Sequence, residues 1–472
     1  MTLRLHNTLT GRTEEFRPQE PGVVRLYTCG PTVWDYSHVG NWRAFLVYDL
    51  LRRHLAVSGY DVRHVMNITD VDDRIIEQAS AAGVTITQFT GRYQQAFEED
   101  LASLRIERAE LYPRATGHVE EMMVLIERLM EGGHAYEVDG DVYFRIASFP
   151  AYGALSHLDR AGLRPGARVA TDKYEKESAT DFALWKRAGS TDERVGAAWE
   201  ASFGRGRPGW HIECSAMAMK YLGETLDIHA GGIDLLFPHH ENEVAQSEAA
   251  TGRPFARWWI HSEHLMDATG AKMSKSDGNF TTLRELVAAG HDPVAVRLFL
   301  LGNAHYRSKL RLSDEGLHGA AEQLRRLRDF SDRVRRAEPG LRADDASLYA
   351  SAEDARAAYR AALDDDLNLP AGMGHVFELV REANAALDAG LVGPAAREAL
   401  LALLADVDAH LDVLREERVS LDEAVERLIA EREEARRTRD FATADRIRDE
   451  LRERGIVLED SRDGVRWKLV RR

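Results

Sequence analysis

Two short segments of this sequence carry side chains that suit phosphate chemistry. His38-Val39-Gly40-Asn41 stands where an apolar strand gives way to a helix, and the free N–H groups at a helix N-terminus favour phosphate. Far downstream, Lys272 and Lys275 belong to the pentapeptide Lys272–Ser276, between two glycines. Such lysines can close over a pyrophosphate and neutralise its charge as it leaves. Taken alone, each segment also fits an ordinary alternative, a surface histidine or a solvated loop.

Four further side chains could bind a metal ion. Cys29 and Cys214 are the only cysteines of the chain. His239 and Glu243 are four residues apart, so on a helix they share one face. Two thiolates, an imidazole and a carboxylate form a four-ligand set that suits zinc. Because the four are scattered along the chain, their spacing leaves open the alternative of two buried cysteines beside a solvated polar helix start.

The elements that must position these residues follow an alternating β/α pattern. The strand Val23–Thr28, a Gly-Pro loop and the helix with apolar residues across Arg43–Leu55 form the first half of a nucleotide-binding βαβ unit. Further strands and helices are predicted at Val62–Ile68, Leu226–His229 and Arg257–His264, and at Asp73–Ala82, Thr85–Leu104, Thr116–Met130, Trp210–Leu222 and Glu241–Ala250. We therefore expect an α/β fold with one Rossmann-like parallel-sheet domain that an inserted domain splits.

The insertion and the C-terminal part have their own patterns. A hairpin is predicted across Ala135–Phe144, with its turn at Asp139-Gly140, whereas residues 155–205 are polar and read as irregular. From about residue 282 onward nearly all of the pattern is helical, and alanine and leucine at helical spacing are typical of a helical bundle. The predicted elements there are three bundle helices, two tail helices and a hairpin: 347–365, 370–389, 395–414, 420–436, 440–454, and Ile456–Glu459 with Val465–Leu469.

Length, charge and cysteine content narrow the class of protein. With 472 residues the chain is too long for one hydrophobic core. A net charge of −16 argues against indiscriminate nucleic-acid binding, although a local basic surface could still dock a folded RNA. The sequence contains no apolar run of about 18 residues, the pattern that predicts a membrane span. Met1–His6 lack the apolar core of a secretory signal. Two cysteines so far apart indicate a reducing compartment, so we expect a cytoplasmic protein.

With these segments in view, the chain resembles the class I aminoacyl-tRNA synthetases and, most closely, the cysteinyl-tRNA synthetases. His38–Asn41 resembles the HIGH signature in its His-Ile-Gly-Asn form, and Lys272–Ser276 matches the KMSKS signature. Stretches typical of the cysteine-specific members span essentially the whole chain: Tyr27–Asn41, Asn67–Asp73, Gly206–Met217, Phe237–Glu243, Ala304–Ser308 and Asp440–Asp449. Val39, Trp42 and Asp277 differ from the residues expected most often, and none of them carries a proposed charge.

The resemblance implies a set of site residues. The zinc ligands of the family correspond here to Cys29, Cys214, His239 and Glu243. The amino-acid pocket corresponds to Thr69, Trp210, His229 and Asp234. ATP binding corresponds to His38, Gly40, Asn41, Lys272 and Lys275, and all of these except the glycine are also expected to serve in catalysis.

The resemblance also implies an activity, its cofactors and a domain order. ATP and L-cysteine would give cysteinyl adenylate and pyrophosphate, and the cysteinyl group would pass to the terminal adenosine of cysteine tRNA. One zinc per chain would recognise the substrate thiolate, Mg²⁺ would accompany ATP, and the enzyme is expected to be a monomer. The expected domains are a first catalytic half (1–110), an inserted connective domain (111–205), a second catalytic half with the KMSKS loop (206–281), a stem-contact region (282–325), a helical bundle (326–415) and an anticodon-binding domain (416–472).

Alternatives stay open for the tail and for the activity. The arginine-rich tail would contact the anticodon arm, but its acidic residues nearly balance the arginines, so a salt-bridged helix pair is the alternative. A hairpin with Arg466, Trp467 and Lys468 is better suited to stacking and phosphate contact. A related ligase that joins cysteine to a glucosamine–inositol acceptor is shorter, and segment 416–472 argues against it. A catalytically idle RNA-binding relative would have no need to keep His38, the lysines and the zinc ligands.

Overall fold

The computed structural model describes residues 2–158, 181–271, 273, 280–337, 346–415, 423–438, 440–453, 456–461 and 464–469. Its strands are β1 (Arg4–Asn7), β2 (Arg12–Glu15), β3 (Val23–Thr28), β4 (Asp61–Met66), β5 (Ala135–Val138), β6 (Asp141–Phe144), β7 (Phe182–Arg187), β8 (Gly206–Pro208), β9 (Leu226–Gly232), β10 (Ala256–Ser262), β11 (Leu265–Met266), β12 (Leu310–Arg311), β13 (Ile456–Ser461) and β14 (Gly464–Leu469). Its helices are α1 (Val39–Val57), α2 (Asp73–Ala82), α3 (Ile86–Ser103), α4 (Val119–Glu131), α5 (Ser190–Val195), α6 (Trp210–Leu222), α7 (Glu241–Thr251), α8 (Leu283–Ala288), α9 (Pro293–Gly302), α10 (Asp314–Arg336), α11 (Ala346–Asp364), α12 (Leu369–Asp388), α13 (Pro394–Leu411), α14 (Glu423–Arg437) and α15 (Phe441–Glu453). Every strand and helix predicted from the sequence has a counterpart among these elements.

Four parallel strands form the central sheet in the order β10-β9-β3-β4. The chain runs from β3 through α1 to β4 on one side, whereas β9 and β10 come from the segment after the insertion and lie on the other side. The strand order therefore reverses between β3 and β9, and in open parallel sheets ligands bind at such a point, at the carboxyl ends of the strands. Cys29 follows β3 directly at this edge, where its N–H donates to Ala230 O of β9 at 3.2 Å.

Helices cover the sheet because their apolar side chains pack against it. The four leucines that predict α1 from their spacing, Leu46, Leu50, Leu51 and Leu55, are all buried. Helices α6 and α7 bury Ile212, Met217, Val244 and Ala245 in the same core as Tyr27 of β3 and Val65 of β4. This packing fixes α6 and α7 against the sheet edge that carries Cys29.

The insertion forms a second, antiparallel sheet in the order β5-β6-β7-β8. The predicted hairpin is confirmed, with Asp139 and Gly140 at positive φ angles of 53° and 90° in its turn. The expectation that residues 155–205 are irregular is wrong, because β7 and α5 lie within them. Phe182 to Lys186 of β7 are all buried. The strand therefore lacks the alternation of polar and apolar residues that predicts a half-buried strand from sequence. Residues 159–180 of the same stretch lie outside the described residues.

Between residues 282 and 415 the described elements are helices, as expected, apart from the short strand β12, which pairs in parallel with β11. Helix α10 runs without a break through positions 325 and 326, so the expected boundary there falls inside a helix. Helices α11, α12 and α13 form the predicted bundle around buried side chains such as Leu363, Val376 and Leu403.

The chain divides into two compact units, one of Met1–Glu285 with Asp292–Leu414 and one of Leu286–His291 with Arg415–Arg472. In the second unit, α14 and α15 pack through Val425, Ile447 and Leu451, and β13 pairs antiparallel with β14. Arg446 of α15 also reaches Glu431 of α14 at 4.0 Å, an ion pair of the kind that the balanced charges predict. Among the helices that the structure describes, none has a stretch long and apolar enough to cross a lipid bilayer.

Candidate functional site

A cavity of about 350 Å³ opens at the carboxyl edge of the central sheet. Its wall includes three of the expected metal ligands, Cys29, Cys214 and His239. It also includes His38, Gly40 and Asn41 from the start of α1. Three of the expected pocket residues, Thr69, Trp210 and Asp234, line it as well. Residues that lie far apart in the sequence thus share the wall of one cavity.

The start of α1 is held by a reciprocal cap between His38 and Asn41. The N–H of Asn41 donates to His38 Nδ1 at 3.2 Å, and the N–H of His38 donates to Asn41 Oδ1 at 3.2 Å. Because Nδ1 accepts this bond, a neutral ring carries its proton on Nε2, where it can donate to a phosphate oxygen. Gly40 makes room for the ring, since a Cβ at this position would lie 2.9 Å from His38 Nδ1 and Cε1.

Arg43 ties the start of α1 to two other segments. Its side chain is buried, and its guanidinium donates to the carbonyl oxygens of His264 at 2.7 Å, Ser308 at 2.5 Å and His305 at 3.2 Å. Burial lowers the pKa of Arg43 to about 10, a shift that nearby Glu263 opposes. His264 itself lines the cavity, so Arg43 holds part of the cavity wall against α1.

The lysine pair of the KMSKS segment, Lys272 and Lys275, lies outside the described residues. Their neighbour Met273 is buried and lines the cavity. The N–H of Val39 donates to Thr281 O at 2.8 Å. The chain that follows the KMSKS segment is therefore bonded to the start of α1.

Cys29, Cys214, His239 and Glu243 converge at the cavity wall, and we call them the donor cluster. One ligand atom from each lies within 4.8 Å of the others, and all four residues are buried. Cys29 Sγ lies 3.9 Å from Cys214 Sγ and 3.9 Å from Glu243 Oε1. Glu243 Oε1 lies 3.1 Å from His239 Nε2. His239 stands in a wide helical turn that leads directly into α7, so it shares one face with Glu243 as expected from their spacing.

A second set of metal donors overlaps the first and consists of Cys29, His229, His240 and Glu243. His240 Nε2 lies 3.3 Å from Cys29 Sγ, and His229 Nε2 lies 2.9 Å from Glu243 Oε2. Both rings are completely buried, and neither belongs to the cavity wall. A molecule that enters the cavity therefore meets the donor cluster and not this second set.

Two histidines orient the ligand atoms of the donor cluster. His229 bonds Glu243 through Oε2, so Oε1 remains on the side of His239 and Cys29. His211 Nδ1 lies 3.0 Å from His239 Nδ1, which leaves Nε2 of His239 for the cluster. Around metal ions in proteins, the atom of a ligand side chain that faces away from the metal usually makes a hydrogen bond of this kind.

The pKa shifts of the donor cluster favour negative charge on Glu243 and Cys214, which would attract a cation. Burial raises the pKa of Glu243, but His229 and His239 outweigh it and lower the value to about 2. A hydrogen bond with Cys29 lowers the pKa of Cys214 to about 6, whereas burial raises that of Cys29. Burial lowers the pKa of His239, yet Glu243 and Cys214 together raise it to about 10. A bound metal would displace the His239 proton, since only a neutral imidazole ligates.

The residues expected in the amino-acid pocket fall into two groups. Thr69, Trp210 and Asp234 line the cavity, whereas His229 lies outside its wall and contacts Glu243 instead. The hydroxyl of Thr69 donates to Glu213 Oε2 at 3.0 Å. Glu213 is fully buried, and burial raises its pKa well above the usual range. This bond fixes the rotamer of Thr69 at the cavity wall.

Three residues with positioning contacts escaped the sequence analysis: His211, His240 and Arg43. His211 stands one helical turn before Cys214, and His240 follows His239, so nearness to an expected ligand is the signal that could have found them. Arg43 offers no such signal, because an arginine within an amphipathic helix is ordinarily solvated.

Comparison with known proteins identifies the relatives of this chain. The family model for the class I (C) catalytic domain of tRNA synthetases matches residues 15–322, the DALR domain matches 358–414, and the cysteinyl-tRNA ligase anticodon binding domain matches 418–467. A cysteine–tRNA ligase of Solibacter usitatus (strain Ellin6076) is 49% identical over 471 residues, which cover 99% of this chain and 100% of that protein. A cysteine–tRNA ligase of Symbiobacterium thermophilum is 47% identical over 480 residues, which cover 99% and 100%.

Solved structures share the fold at low identity. A Mycobacterium tuberculosis methionyl-tRNA synthetase in complex with methionyl-adenylate aligns with a TM-score of 0.59 at 17% identity, over 83% of this chain and 92% of that chain. A LeuRS of Agrobacterium radiobacter K84, in a ternary complex with tRNA and LeuAMS, aligns with a TM-score of 0.59 at 12% identity, over 84% and 85%. These likenesses show the class I synthetase fold, and the family models and full-length relatives define the group within it. The chain therefore belongs to the cysteine–tRNA ligase family, the ATP-dependent class I aminoacyl-tRNA synthetases that join cysteine to its tRNA.

Proposed function

We propose that both steps of cysteine–tRNA ligation take place in the cavity at the carboxyl edge of the sheet. ATP and L-cysteine form cysteinyl adenylate and pyrophosphate there, and the cysteinyl group then passes to the 3′-terminal adenosine of cysteine tRNA. The observation that supports this proposal is that three residues of the donor cluster and the start of α1 line one cavity. The substrate thiol and the ATP phosphates must be held together if the amino-acid carboxylate is to reach the α-phosphorus.

Catalysis in this proposal depends on position and charge and needs no protein nucleophile. The substrate carboxylate attacks the α-phosphorus in line, and pyrophosphate leaves. His38 and Asn41 steady the phosphates at the start of α1, where Gly40 makes room for the His38 ring. The cap that fixes the His38 ring at the cavity wall supports this role. Lys272 and Lys275 stabilise the charge on the phosphorus and on the leaving pyrophosphate, a role that rests on their sequence signature.

We assign zinc, one ion per chain, to the donor cluster of Cys29, Cys214, His239 and Glu243. Two sulfurs, one imidazole nitrogen and one carboxylate oxygen are ligand types that suit zinc, and the approach of these atoms within 4.8 Å fits a single ion. Bound zinc supplies a soft centre that takes the cysteine thiolate far better than the hydroxyl of serine. Because three of the four ligands form part of the cavity wall, an ion that they hold would be within reach of a substrate sulfur in the cavity.

Thr69, Trp210 and Asp234 are proposed to hold the rest of the amino acid. Asp234 brings a carboxylate that suits the substrate ammonium group. Trp210 stacks on His239 with ring centroids 4.2 Å apart and gives an apolar face beside a metal ligand. We propose that His229 acts differently from the sequence expectation and positions Glu243, because its bond is to Oε2.

The remaining parts of the proposal rest on sequence and family. Mg²⁺ is expected to arrive with the ATP phosphates and not at a dedicated protein site. The monomeric state, the cytoplasmic location and the domain boundaries stay predictions. Segment 416–472 is proposed to bind the anticodon arm of the tRNA, a role that the family match over residues 418–467 supports.

Cysteine-dependent ATP–pyrophosphate exchange by the full-length protein tests the first step, and charging of cysteine tRNA tests the second. We expect both with cysteine and neither with serine. Removal of residues 416–472 should spare the exchange and sharply weaken charging. Exchange without charging by the intact protein would indicate another acceptor, such as glucosamine–inositol. No exchange at all would refute the proposed chemistry.

A further inference from the structure

Beside the cavity lies a surface of aromatic and arginine side chains to which the proposal above assigns no role. We call it the entrance surface and define it by Trp34, Tyr36, Arg74, Arg92 and Tyr93. Trp34 and Arg74 belong to the cavity wall. Tyr36 follows Trp34 by two positions and is 41% exposed. The surface therefore begins inside the cavity and continues to solvent.

The rings of the entrance surface are held in place yet accessible. Tyr36 packs edge-on against Tyr93, with ring centroids 5.4 Å apart. The guanidinium of Arg284 lies over Tyr36 at 5.3 Å. Glu99 at 2.7 Å and Asp100 at 2.9 Å bind that guanidinium, so its charge is balanced within the protein. Tyr36 is thus an ordered ring that solvent, or a ligand, can reach.

Two exposed arginines give the entrance surface its charge. Arg74 lies over the Trp34 ring at 5.2 Å, and Arg92 lies over the Tyr93 ring at 4.4 Å. Throughout the part of the chain that the structure describes, no carboxylate forms an ion pair with either guanidinium. Both guanidiniums are exposed, and Arg74 acts electrostatically on the nearby carboxylate of Asp72.

The acidic side chains near these arginines are engaged in other ways. Asp73 pairs with Lys186 at 2.8 Å and also with Arg207. Asp72 and Asp35 each accept a backbone N–H at 2.8 Å, Asp72 at the start of α2. The entrance surface therefore combines accessible rings with two exposed cations that no described carboxylate binds directly, which suits a polyanion that also carries aromatic groups.

We propose that the entrance surface binds the single-stranded 3′ end of the tRNA as it enters the cavity. This inference rests on the proposed function, because transfer requires the terminal ribose to reach the adenylate. The nucleotides just before the terminal adenosine must then cross the rim of the cavity, where Trp34 and Arg74 lead out to Tyr36. Proteins bind single strands through rings on which bases stack and through cations that contact phosphates. A double-stranded stem keeps its bases stacked on one another and could use only the arginines.

The test compares Tyr36→Ala and Arg92→Ala with the wild-type protein, all full-length. Binding is measured with intact cysteine tRNA and with the same tRNA lacking its unpaired 3′ nucleotides. Neither residue lines the cavity, so cysteine-dependent ATP–pyrophosphate exchange should stay at the wild-type rate. Loss of the Tyr36 ring should weaken binding of intact tRNA about tenfold, the scale for one stacked base, and slow transfer from preformed adenylate. Binding of the truncated tRNA should not change.

Matched variants separate this role from general effects on folding or charge. Arg92→Lys keeps the charge and should retain more affinity than Arg92→Ala. Tyr349→Ala removes another exposed tyrosine, 44% exposed on α11, and should change neither binding nor transfer. If Tyr36→Ala and Arg92→Ala weaken intact and truncated tRNA equally, or weaken neither, the proposal is wrong. Absence of exchange in the wild-type protein would instead overturn the proposed function, so the two failures can be told apart.

Discussion

Three residues of the donor cluster and the start of α1 line one cavity, but the protein builds the two regions in different ways. In the donor cluster each ligand atom belongs to a side chain with no more than 4% exposure, and further buried histidines hold the ligands from behind. At the start of α1, His38 and Asn41 are partly exposed and bind each other. The N–H groups of Val39 and Asn41 are already bonded there, to Thr281 O and His38 Nδ1, and the lysines come from a separate segment.

The difference matches the roles that we propose for the two regions. Cysteine and serine differ by one atom, so a rigid set of buried donors can reject the wrong atom because it cannot rearrange around it. The ATP phosphates must first be held and then released as pyrophosphate, which suits a helix N-terminus and lysines supplied from elsewhere. Substitutions in the donor cluster should therefore change the choice of amino acid, and substitutions near α1 should change the use of ATP.

The largest effect is expected from Cys214→Ser, which replaces a soft ligand of the donor cluster with a hydroxyl. Loss of a partner behind a metal ligand costs about 10–100-fold, so loss of a ligand itself should lower kcat/KM for cysteine by on the order of 10³. Zinc content measured on the purified protein should fall as well, while ATP binding stays close to wild type. An equal loss of ATP binding would erase the contrast between the two regions.

Cobalt substitution sharpens the same comparison without any mutation. In the wild-type protein, cysteine should increase the sulfur-to-cobalt charge-transfer absorption because its thiolate joins the metal, whereas serine should leave the spectrum unchanged. Stoichiometric metal is a precondition of this account. An active preparation without zinc, or a cobalt spectrum that cysteine does not move, would contradict both the site and its role in specificity.

The next largest effect is expected from Lys275→Ala, on the ATP side of the comparison. Loss of one charge contact in a transition state costs about 10²–10³ in rate. Adenylate formation, followed by pyrophosphate exchange, should fall by this factor, and cysteine affinity should hardly change. Exchange within about twofold of wild type would remove the lysine from the mechanism.

The fold was largely predictable because strong periodicity marks its elements. The spacing of leucines in α1 and the hairpin turn at Asp139-Gly140 are local signals, and the structure contains both elements. Strand β7 was missed because it is buried on both faces, and the pairing that buries it is not visible in a single sequence. Tertiary contact, and not local preference, makes that segment a strand.

The site was predictable where a residue type itself carries the chemistry. Two cysteines and a His–Glu pair at helical spacing suited zinc but left another interpretation open, and the family resemblance identified them as ligands. The structure brings these four together. The bond of His229 to Glu243 and the bonds of Arg43 to three carbonyls depend on how distant segments meet, which spacing cannot reveal. The sequence therefore identifies candidate ligand and catalytic residues more readily than the residues that position them.

A smaller effect on the cysteine side is expected from His229→Phe. The phenyl ring can keep the stacking of His229 on Trp259, whose ring centroid is 4.6 Å away, but it cannot bond Glu243 Oε2. Metal affinity should fall about 10–100-fold, and KM for cysteine should rise while KM for ATP does not. His229→Gln, which retains a donor, should recover part of the loss. A pure loss of stability with unchanged metal affinity would count against the positioning role.

The smallest effect, on the ATP side, is expected from Arg43→Lys. A lysine keeps the charge but cannot span the carbonyls of His264, Ser308 and His305, so the wall segment at His264 is no longer fixed against the start of α1. KM for ATP should rise about tenfold, at the low end for one hydrogen bond to a charged group, with KM for cysteine unchanged. Arg297→Lys is the matched control, because Arg297 is equally buried but bonds Asp49 and Leu411 O away from the cavity wall. It should lower the thermal midpoint without moving KM for ATP. If both variants raise KM for ATP alike, Arg43 acts through general stability and has no specific role in positioning the start of α1.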